Sequence, residues 1–244
     1  MAKRSKTRTK KRNGTRRSKR RWYRAPLLAG VACTLLLAAM TITLVLPWRW
    51  LNPPTTAFMW RAAAESQRTN AQQWLTISAM SPNIAVAVIA SEDQLFFDHH
   101  GFDFRQIMAA LSTPGGPQRG ASTMTQQLAK NLYLWPGQSY LRKALEAWLT
   151  LAIEALWPKM RILEVYLNVA EFGPNIYGVG AGADLLLDTE ASDLSPYQSA
   201  LLAAVLPNPA RMSARQPSTY VRQRAADIMH GVEQLGGPAF VAQH

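Results

Sequence analysis

One stretch of the chain is long and apolar enough to constrain the organisation of everything around it. Residues 25–46 contain 22 residues without a charged side chain and are rich in Leu, Ala and Val. At about 1.5 Å per residue, a helix of this length crosses the hydrocarbon core of a bilayer, which is about 30 Å thick. A cleaved signal peptide is disfavoured because its apolar region would be about 7 to 15 residues and would end at a small-residue cleavage site. Here the segment 47–50, PWRW, follows instead. The stretch is therefore predicted to be a single transmembrane helix.

The basic charge of the chain is concentrated in front of this span. The formal net charge is +12, yet residues 1–24 hold 13 of the 27 Lys and Arg residues and no acidic residue. Residues 25–244 therefore carry 14 basic against 15 acidic groups. A nucleic-acid-binding domain would show its Lys and Arg on a folded face, so nucleic acid is not expected as a partner. The positive-inside rule places the N-terminus in the cytoplasm, and Trp48 and Trp50 suit the opposite interface.

Length and composition predict four regions. They are a basic cytoplasmic tail at 1–24, a transmembrane helix at 25–46, a linker with a membrane-proximal helix at 47–80, and one globular domain at 81–244. A chain of 244 residues leaves no room for a second large domain. The lone cysteine, Cys33, lies inside the span, so no disulfide forms within the chain, and its thiol is interpreted as a small apolar group.

The globular part is predicted to be mainly α-helical, because apolar residues recur at helical spacing and little strand-like alternation occurs. A helical pattern that starts near Phe104 is broken by a Gly and Pro cluster at 114–120. Turn residues separate the other predicted helices, which cover 57–79, 123–134, 141–156, 160–169, 195–206 and 220–235.

Polar residues line one face of the helix predicted at 123–134. At about 100° per residue, Thr123, Gln127, Lys130 and Asn131 fall within about a third of the circumference. A solvated face would give a similar pattern, but such faces favour Glu and Lys. This face instead offers a hydroxyl, two amides and one cation, which suit sugars and phosphate.

The next helix carries a cluster of charges at its start. Arg142 and Glu146 are four residues apart and project from one side, with Lys143 beside them. An ordinary intrahelical ion pair has the same spacing and contributes only about 0.3–0.5 kcal/mol. Because the rest of the helix is largely apolar, the cluster is expected where the helix emerges from burial.

An acidic and aromatic segment, SEDQLFFDHHGFD at 91–103, follows an apolar run at 84–90. Glu92 and Asp93 follow this run and precede Phe96 and Phe97, a setting of expected partial desolvation in which a carboxylate can act as a general base. His99 and His100 have no partner at metal-ligand spacing, so no structural metal is expected.

Transfer between sugars commonly uses two carboxyl groups. Glu92 and Glu146 fit as a pair, but on the residues alone Glu154, Glu164 and Glu171 compete with them on equal terms.

Five segments in order resemble motifs of the peptidoglycan glycosyltransferase family. This family forms the polymerising domain of large penicillin-binding proteins and also occurs as a monofunctional membrane enzyme. The similarity covers about residues 80–210, and a chance match to all five motifs in order is improbable. The segments are EDQLFFDHHGFD at 92–103, GASTMTQQLAKNLYL at 120–134, RKALEAWLTLAIE at 142–154, RILEVYLNVAEFG at 161–173 and SALLAAVLPNP at 199–209.

The resemblance implies a lysozyme-like fold and the polymerisation of lipid II. Growing lipid-linked glycan is the donor, the anomeric centre inverts, and β-1,4-linked strands and undecaprenyl diphosphate are the products. Glu92 matches the general base on the acceptor 4-hydroxyl, and Glu146 matches a second catalytic glutamate near the donor pyrophosphate. By the same match, the expected substrate-binding residues are Asp93, Phe96, His99, Thr123, Gln127, Lys130, Asn131, Arg142 and Lys143.

The resemblance also implies an inner-membrane protein with a periplasmic catalytic domain. A divalent cation such as Mg at the pyrophosphate is compatible with it. No Ser is followed three residues later by Lys, and no Lys-Thr-Gly occurs, so the enzyme is expected to be monofunctional. Crosslinking then depends on partners such as penicillin-binding transpeptidases and division or elongation proteins.

Two alternatives remain beside this interpretation. A lysozyme-like lytic transglycosylase shares the broad architecture but lacks support from the second and third motifs. A noncatalytic membrane scaffold of the cell-wall machinery would keep the fold, and loss of Glu92 or Glu146 would have favoured it.

One segment departs from the family pattern: residues 179–193 read VGAGADLLLDTEASD, with Leu186 and Leu187 in place of aromatics. Packing behind the site is expected to differ there.

Overall fold

The computed structural model describes residues 24–105, 108 and 122–244. Most of the basic tail and the Gly and Pro cluster at 114–120 lie outside the described residues, as does most of the helical pattern that starts near Phe104. Contacts within the chain divide it into two units, with the boundary between Leu44 and Val45.

The described part of the first unit is the apolar helix α1, at Arg24–Val45, whose last residue is the first of the second unit. An 18-residue window within the segment 26–49 has a mean hydropathy of 2.3, and among the described residues this segment is the one helical stretch long and apolar enough to cross a membrane. Leu27 and Leu36 are largely exposed on it. The hydroxyls of Thr34 and Thr43 donate to carbonyls four residues earlier, which satisfies them inside an apolar segment.

The second unit begins with a short 3-10 helix at Leu46–Arg49 and continues with α2 at Ala57–Ser66, β1 at Ala71–Gln72 and a 3-10 turn at Ile77–Ala79. The prediction of one helix over 57–79 is therefore wrong. Helix α2 ends because Gln67 adopts a left-handed conformation with φ of 54°. The chain after it is extended and pairs with a later strand.

The helical domain confirms the mainly α prediction. Five predicted helices are found with ends shifted by one residue at most, namely α4 at Met124–Tyr133, α5 at Tyr140–Leu156, α6 at Lys159–Val169, α8 at Pro196–Val205 and α9 at Thr219–Gln234. Helix α3 at Pro82–Glu92, α7 at Gly178–Leu187 and the short α10 at Ala239–Ala242 complete the set of described helices. Strands β2 at Glu171–Gly173 and β3 at Ile176–Tyr177 form a small sheet with β1, in the order β1-β3-β2.

Helix α3 is the central element of the core. Its residues 84–90 are all buried, and the helix packs against α8 and α9. A helix that is apolar on every side is stable only when neighbouring elements cover all of its faces. Burial of α3 therefore carries its last residue, Glu92, from the core to the edge of the domain.

Helix α7 occupies part of the atypical segment and was not predicted. Its first turns contain glycines because the backbone of other elements comes very close. A Cβ on Gly178 would lie 2.6 Å from the carbonyl oxygen of Asn168, and a Cβ on Gly180 would lie 2.7 Å from that of Gln73. At the other end of the helix, Leu186 packs partly buried against the core.

Candidate active site

Asp93 connects the end of α3 to the start of α4. Its side chain is buried, and its Oδ2 accepts a hydrogen bond from the backbone N–H of Met124 at 2.9 Å. Its Oδ1 lies 2.8 Å from His99 Nε2. Because His99 Nδ1 accepts from the N–H of Gly101, the imidazole donates to Asp93 through Nε2. The aspartate thus joins the first two motif segments.

Phe96 and Thr123 are also buried. Phe96 is fully enclosed, with Lys159 Nζ 4.6 Å from its ring centroid. Thr123 caps α4 in a reciprocal capping box with Gln126, and its hydroxyl donates to the carbonyl of Gly101 at 2.7 Å. Both side chains contact protein, and we interpret their role, like that of the aspartate, as holding the backbone of the site.

Glu92 is held at both carboxylate oxygens. Its Oε2 accepts from Gln127 Nε2 at 3.0 Å, and its Oε1 accepts from Ser91 Oγ at 3.0 Å. Arg224 Nη2 lies 3.5 Å from the same Oε1. Tyr166 donates its hydroxyl to Gln127 Oε1 at 2.9 Å, which orients the amide so that its NH₂ group points to Glu92. Burial raises the pKa of Tyr166 well above its usual range, so this donor stays protonated.

Glu146 is more deeply buried, and cations occupy both of its oxygens. Arg142 Nη1 donates to Oε2 at 2.7 Å, and Lys143 Nζ donates to Oε1. The side chain of Glu146 is 3% exposed, that of Arg142 is 11% exposed, and that of Lys143 is about half exposed. The Nε of Arg142 is buried and has no hydrogen-bond partner among the described residues.

Lys130 interacts electrostatically with both glutamates. Its pKa is lowered, mainly because the side chain is buried. The negative charges of Glu146 and Glu92 raise this pKa, whereas the two cations of α5 lower it further. Both carboxylates are therefore within electrostatic reach of its ammonium. The ring of Phe58 lies 5.5 Å from Nζ and covers it from α2. Asn131, the next residue on α4, is half-buried.

The part of the site around α5 has a surplus of positive charge. Lys130, Arg142 and Lys143 supply three cations and Glu146 one carboxylate, which leaves two positive charges. A diphosphate group carries negative charge on several oxygens, and preorganised cations bind such a group well. The arrangement therefore suits a diphosphate beside a carboxylate that is held by an amide.

The competing glutamates have structural partners of their own. Glu154 is bound by Lys159 at 2.9 Å, and Glu164 pairs with Arg161. Glu171 is half-buried, and burial raises its pKa. None of the three is among the groups that act on the Lys130 ammonium, whereas Glu92 and Glu146 both are. The choice of Glu92 and Glu146 as the catalytic pair stays a prediction.

Metal ligands are scarce around the site. In residues 24–105 and 122–244, no group of three or more His, Cys, Asp or Glu side chains is arranged to hold a metal ion. Both oxygens of Glu146 are already engaged by cations. The absence of a structural metal remains a prediction, and so does a divalent cation held mainly by the diphosphate itself.

Two residues beside Glu92 were not singled out from the sequence. Ser91 directly precedes it, and Arg224 lies outside all five motif segments. Arg224 had no local signal that could have found it, because its contact with α3 depends on how α9 packs.

Comparison with known proteins gives consistent matches. A sequence profile described as Transglycosylase matches residues 61–233. A biosynthetic peptidoglycan transglycosylase of Stutzerimonas stutzeri (strain A1501) is 50% identical over 214 residues, covering 85% of this chain and 88% of that protein. Proteins of the same description from Xanthomonas campestris pv. campestris (strain B100) and Xylella fastidiosa (strain 9a5c) are 46% and 42% identical. These alignments cover 86% and 91% of this chain, and 89% and 93% of the respective relatives.

Proposed function

The chain belongs to the transglycosylase family, and from that premise we propose that it polymerises lipid II into β-1,4-linked glycan strands and releases undecaprenyl diphosphate. As a peptidoglycan transglycosylase, it acts on lipid-linked precursors in cell wall biosynthesis. The proposal adds the identity of the substrate, the linkage and the leaving group.

The observation that carries the proposal is the pairing of Glu92 with the cation cluster around Lys130. Glu92 has one oxygen held by an amide, and its side chain is 11% exposed. Lys130, Arg142 and Lys143 supply the positive charge for a departing diphosphate. A polymerase that joins sugars from a lipid diphosphate needs a general base at the attacking hydroxyl and cations at the departing diphosphate, within the length of the bound substrates.

In the proposed reaction, Glu92 takes the proton from the acceptor 4-hydroxyl, and the oxygen of that hydroxyl attacks the anomeric carbon of the donor sugar. The new glycosidic C–O bond forms while the bond from that carbon to the diphosphate oxygen breaks. Attack from the face opposite the leaving group inverts the centre. The diphosphate leaves with its negative charge. The proton passes from Glu92 to solvent, and this loss restores the base for the next addition.

The leaving group depends on cations rather than on an acid. As the C–O bond breaks, negative charge develops on the diphosphate, and fixed cations stabilise that charge more in the transition state than in the ground state. Glu146 keeps Arg142 and Lys143 in place, because both of its oxygens are taken by them. Its proposed catalytic role is therefore to orient and partly neutralise the two cations.

We further propose that α1 anchors the enzyme in the inner membrane, with the N-terminus in the cytoplasm and the catalytic domain of residues 81–244 in the periplasm. The apolar helix suggests membrane anchoring, and the preceding basic residues support the orientation. Anchoring supplies proximity, since the lipid tails of both substrates stay in the bilayer. Transpeptidases and division or elongation proteins are the proposed protein partners.

The test is incubation of the full-length protein in detergent with fluorescent lipid II, followed by gel separation of products from precursor. We expect a ladder of long glycan strands whose linkage is cut by a muramidase, together with release of undecaprenyl diphosphate. A protein that leaves the precursor unchanged, in conditions where a related polymerase elongates it, would contradict the proposal.

A second substrate separates the two alternatives. Supplied with finished glycan strands instead of lipid II, a lytic transglycosylase would shorten them, and the proposed polymerase would leave their length unchanged. A noncatalytic scaffold would leave both substrates unchanged.

A further inference from the structure

Arg224 lies on α9, outside the five motif segments, yet its guanidinium reaches the end of α3. Its Nε donates to the carbonyl oxygen of Ala204 at 3.2 Å, and its Nη2 donates to Ser91 Oγ at 3.0 Å. The same Nη2 lies 3.5 Å from Glu92 Oε1. One arginine therefore connects the C-terminal ends of α8 and α3 at the carboxylate proposed as the general base.

Ser91 links the guanidinium to the carboxylate a second time. Because its oxygen accepts from Arg224, its own hydrogen is directed to another acceptor. Glu92 Oε1 lies 3.0 Å away, whereas the carbonyl of Ala203 lies 3.5 Å away, so the carboxylate is the closer partner. Oε1 thus receives a hydrogen bond and a cation, and Oε2 is left to Gln127. The carboxylate is fixed in one orientation.

The packing of α9 on α3 determines where the guanidinium lies. Ala225 and Ile228 are buried on α9, and a Cβ on Gly231 would be only 3.5 Å from the Cβ of Ala90, so the two helices approach closely. The side chain of Arg224 is 19% exposed. A guanidinium held in three places on a packed helix has little freedom to leave the carboxylate.

Arg222 provides a matched control on the same helix. It is exposed, and its guanidinium donates to the carbonyl of Pro217 and to Thr219 Oγ1, both near the start of α9. No contact between Arg222 and the end of α3 occurs within the described residues. The two arginines therefore share residue type and helix but differ in their access to the site.

The titratable and charged groups that face Glu92 come from several elements. Lys130 faces it from α4 and Tyr166 from α6, while Asp93 is its neighbour in the chain. Tyr166 is neutral, and Lys130 is also close to the charges of α5. In the part of the chain that the structure describes, the ion pair of Glu92 is with Arg224.

We propose that Arg224 is a positioning residue for polymerisation. Through Ser91 and its ion pair, it holds Oε1 of Glu92 and leaves Oε2 on the Gln127 side, in position for the acceptor hydroxyl. The inference rests on the proposed role of Glu92 as the general base. A general base must lie within hydrogen-bond reach of the proton that it takes. Loss of the guanidinium releases Oε1 and lets the carboxylate turn away from that position, so the chemical step slows while substrate binding is retained.

The main variant is Arg224→Met, which keeps length and removes charge. With lipid II we expect kcat to fall about 10- to 100-fold, the scale of a misplaced catalytic group. KM is expected to stay within about twofold, because the cations around Lys130 are unchanged. Arg224→Lys should restore part of kcat, and Arg222→Met should match the wild type.

A purely structural role for Arg224 would lower the amount of folded enzyme without changing kcat per folded molecule. If Arg224→Met fails to fold, Ser91→Ala removes the relay and keeps the arginine, and a smaller loss of kcat at unchanged KM is expected. Unchanged kcat in either folded variant, beside a wild type that polymerises, would overturn the role of Arg224 and leave the proposed function intact.

An activity-independent readout covers the case in which the wild type makes no polymer, which would refute the proposed function itself. Carboxyl ¹³C NMR of glutamate-labelled full-length protein in micelles, recorded at neutral pH, reports the surroundings of the Glu92 carboxylate, whose signal is assigned by its disappearance in Glu92→Gln. We expect this signal to move in Arg224→Met and to keep its wild-type position in Arg222→Met. An unmoved signal in Arg224→Met would overturn the inference regardless of activity.

Discussion

The end of α3 and the first turns of α5 each supply one glutamate to the site, and the two carboxylates have different surroundings. Glu146 on α5 is 3% exposed, and both of its oxygens are bound by cations from its own helix. Glu92 on α3 is 11% exposed, and its partners come from three places: an amide on α4, a guanidinium on α9 and the adjacent serine. One glutamate is neutralised locally, whereas the other is oriented by distant elements.

This difference fits the separate roles proposed for two chemically identical side chains. A buried carboxylate that binds two cations is held in place, because its removal from them would leave charges uncompensated. A carboxylate at the surface of the core, with one oxygen held only by an amide, can accept a further hydrogen bond from a bound hydroxyl. The proposed reaction uses the first arrangement to organise charge and the second for proton transfer.

The largest expected effect is that of Glu92→Gln on activity. The amide keeps the shape of the side chain and removes the base, so polymerisation of lipid II is expected to fall at least about 100-fold. The protein should still fold and insert, with a free energy of unfolding within about 1 kcal/mol of the wild type. Glu190→Gln, a change at an exposed glutamate, serves as the control. Near-normal activity of Glu92→Gln would remove the difference between the two carboxylates.

Glu146→Gln is expected to affect stability more than Glu92→Gln does. It leaves Arg142 and Lys143 without their shared partner, and the free energy of unfolding should fall by about 2 kcal/mol, since one of the cations is largely buried. The same change at Glu65, whose ion pair with Arg61 is exposed, should cost less than about 0.5 kcal/mol. Urea unfolding in detergent, followed by circular dichroism, measures both values. Equal costs at Glu146 and Glu65 would show that the buried cluster is not a unit.

Removal of a single cation should act on the transition state. Lys130→Ala and Arg142→Ala are each expected to lose more than about 1 kcal/mol of transition-state stabilisation, the scale of a charge-assisted contact. The measurement is kcat/KM with lipid II, with Arg215→Ala as an exposed control. Unchanged values for both variants would exclude a role in binding the diphosphate.

The smallest expected effect concerns pH on the alkaline side. Because burial lowers the pKa of Lys130, its ammonium loses the proton at a lower pH than a free lysine, and activity should fall as the pH rises through that value. Lys130→Arg keeps the charge to higher pH, so its alkaline limb should lie above that of the wild type. The rate at neutral pH should stay within about threefold, since the charge is retained but the geometry is not. Superimposable pH profiles of Lys130→Arg and the wild type would show that another group determines the loss of activity at alkaline pH.

Helices with clear apolar spacing and turn residues at both ends were predicted closely from the sequence. Helix α4 begins after Thr123, whose capping box with Gln126 is visible in the sequence as a Thr followed three residues later by Gln. Helix α7 was missed because three glycines within its first five residues lower helix propensity. The false extension of α2 to residue 79 came from apolar residues that pack outside a helix.

The site was only partly predictable. The residues alone left five glutamates in competition, and resemblance to a family selected Glu92 and Glu146. The partners of Glu146 lie within four residues of it, so spacing on one helix indicated them. Arg224 is far from Glu92 along the sequence, although the two side chains are in contact. No local pattern specifies a contact that depends on the packing of α9 against α3.

The glycines at the start of α7 also determine which sequence changes this region tolerates. A methyl group on Gly178 or Gly180 would collide with backbone oxygen atoms, which cannot swing aside as the end of a flexible side chain can. Leu186, at the other end of the same helix, is only partly buried. The atypical segment is therefore free to diverge at its leucines but restricted at its glycines. Natural variants with a larger residue at either glycine must have moved a neighbouring strand or helix as well.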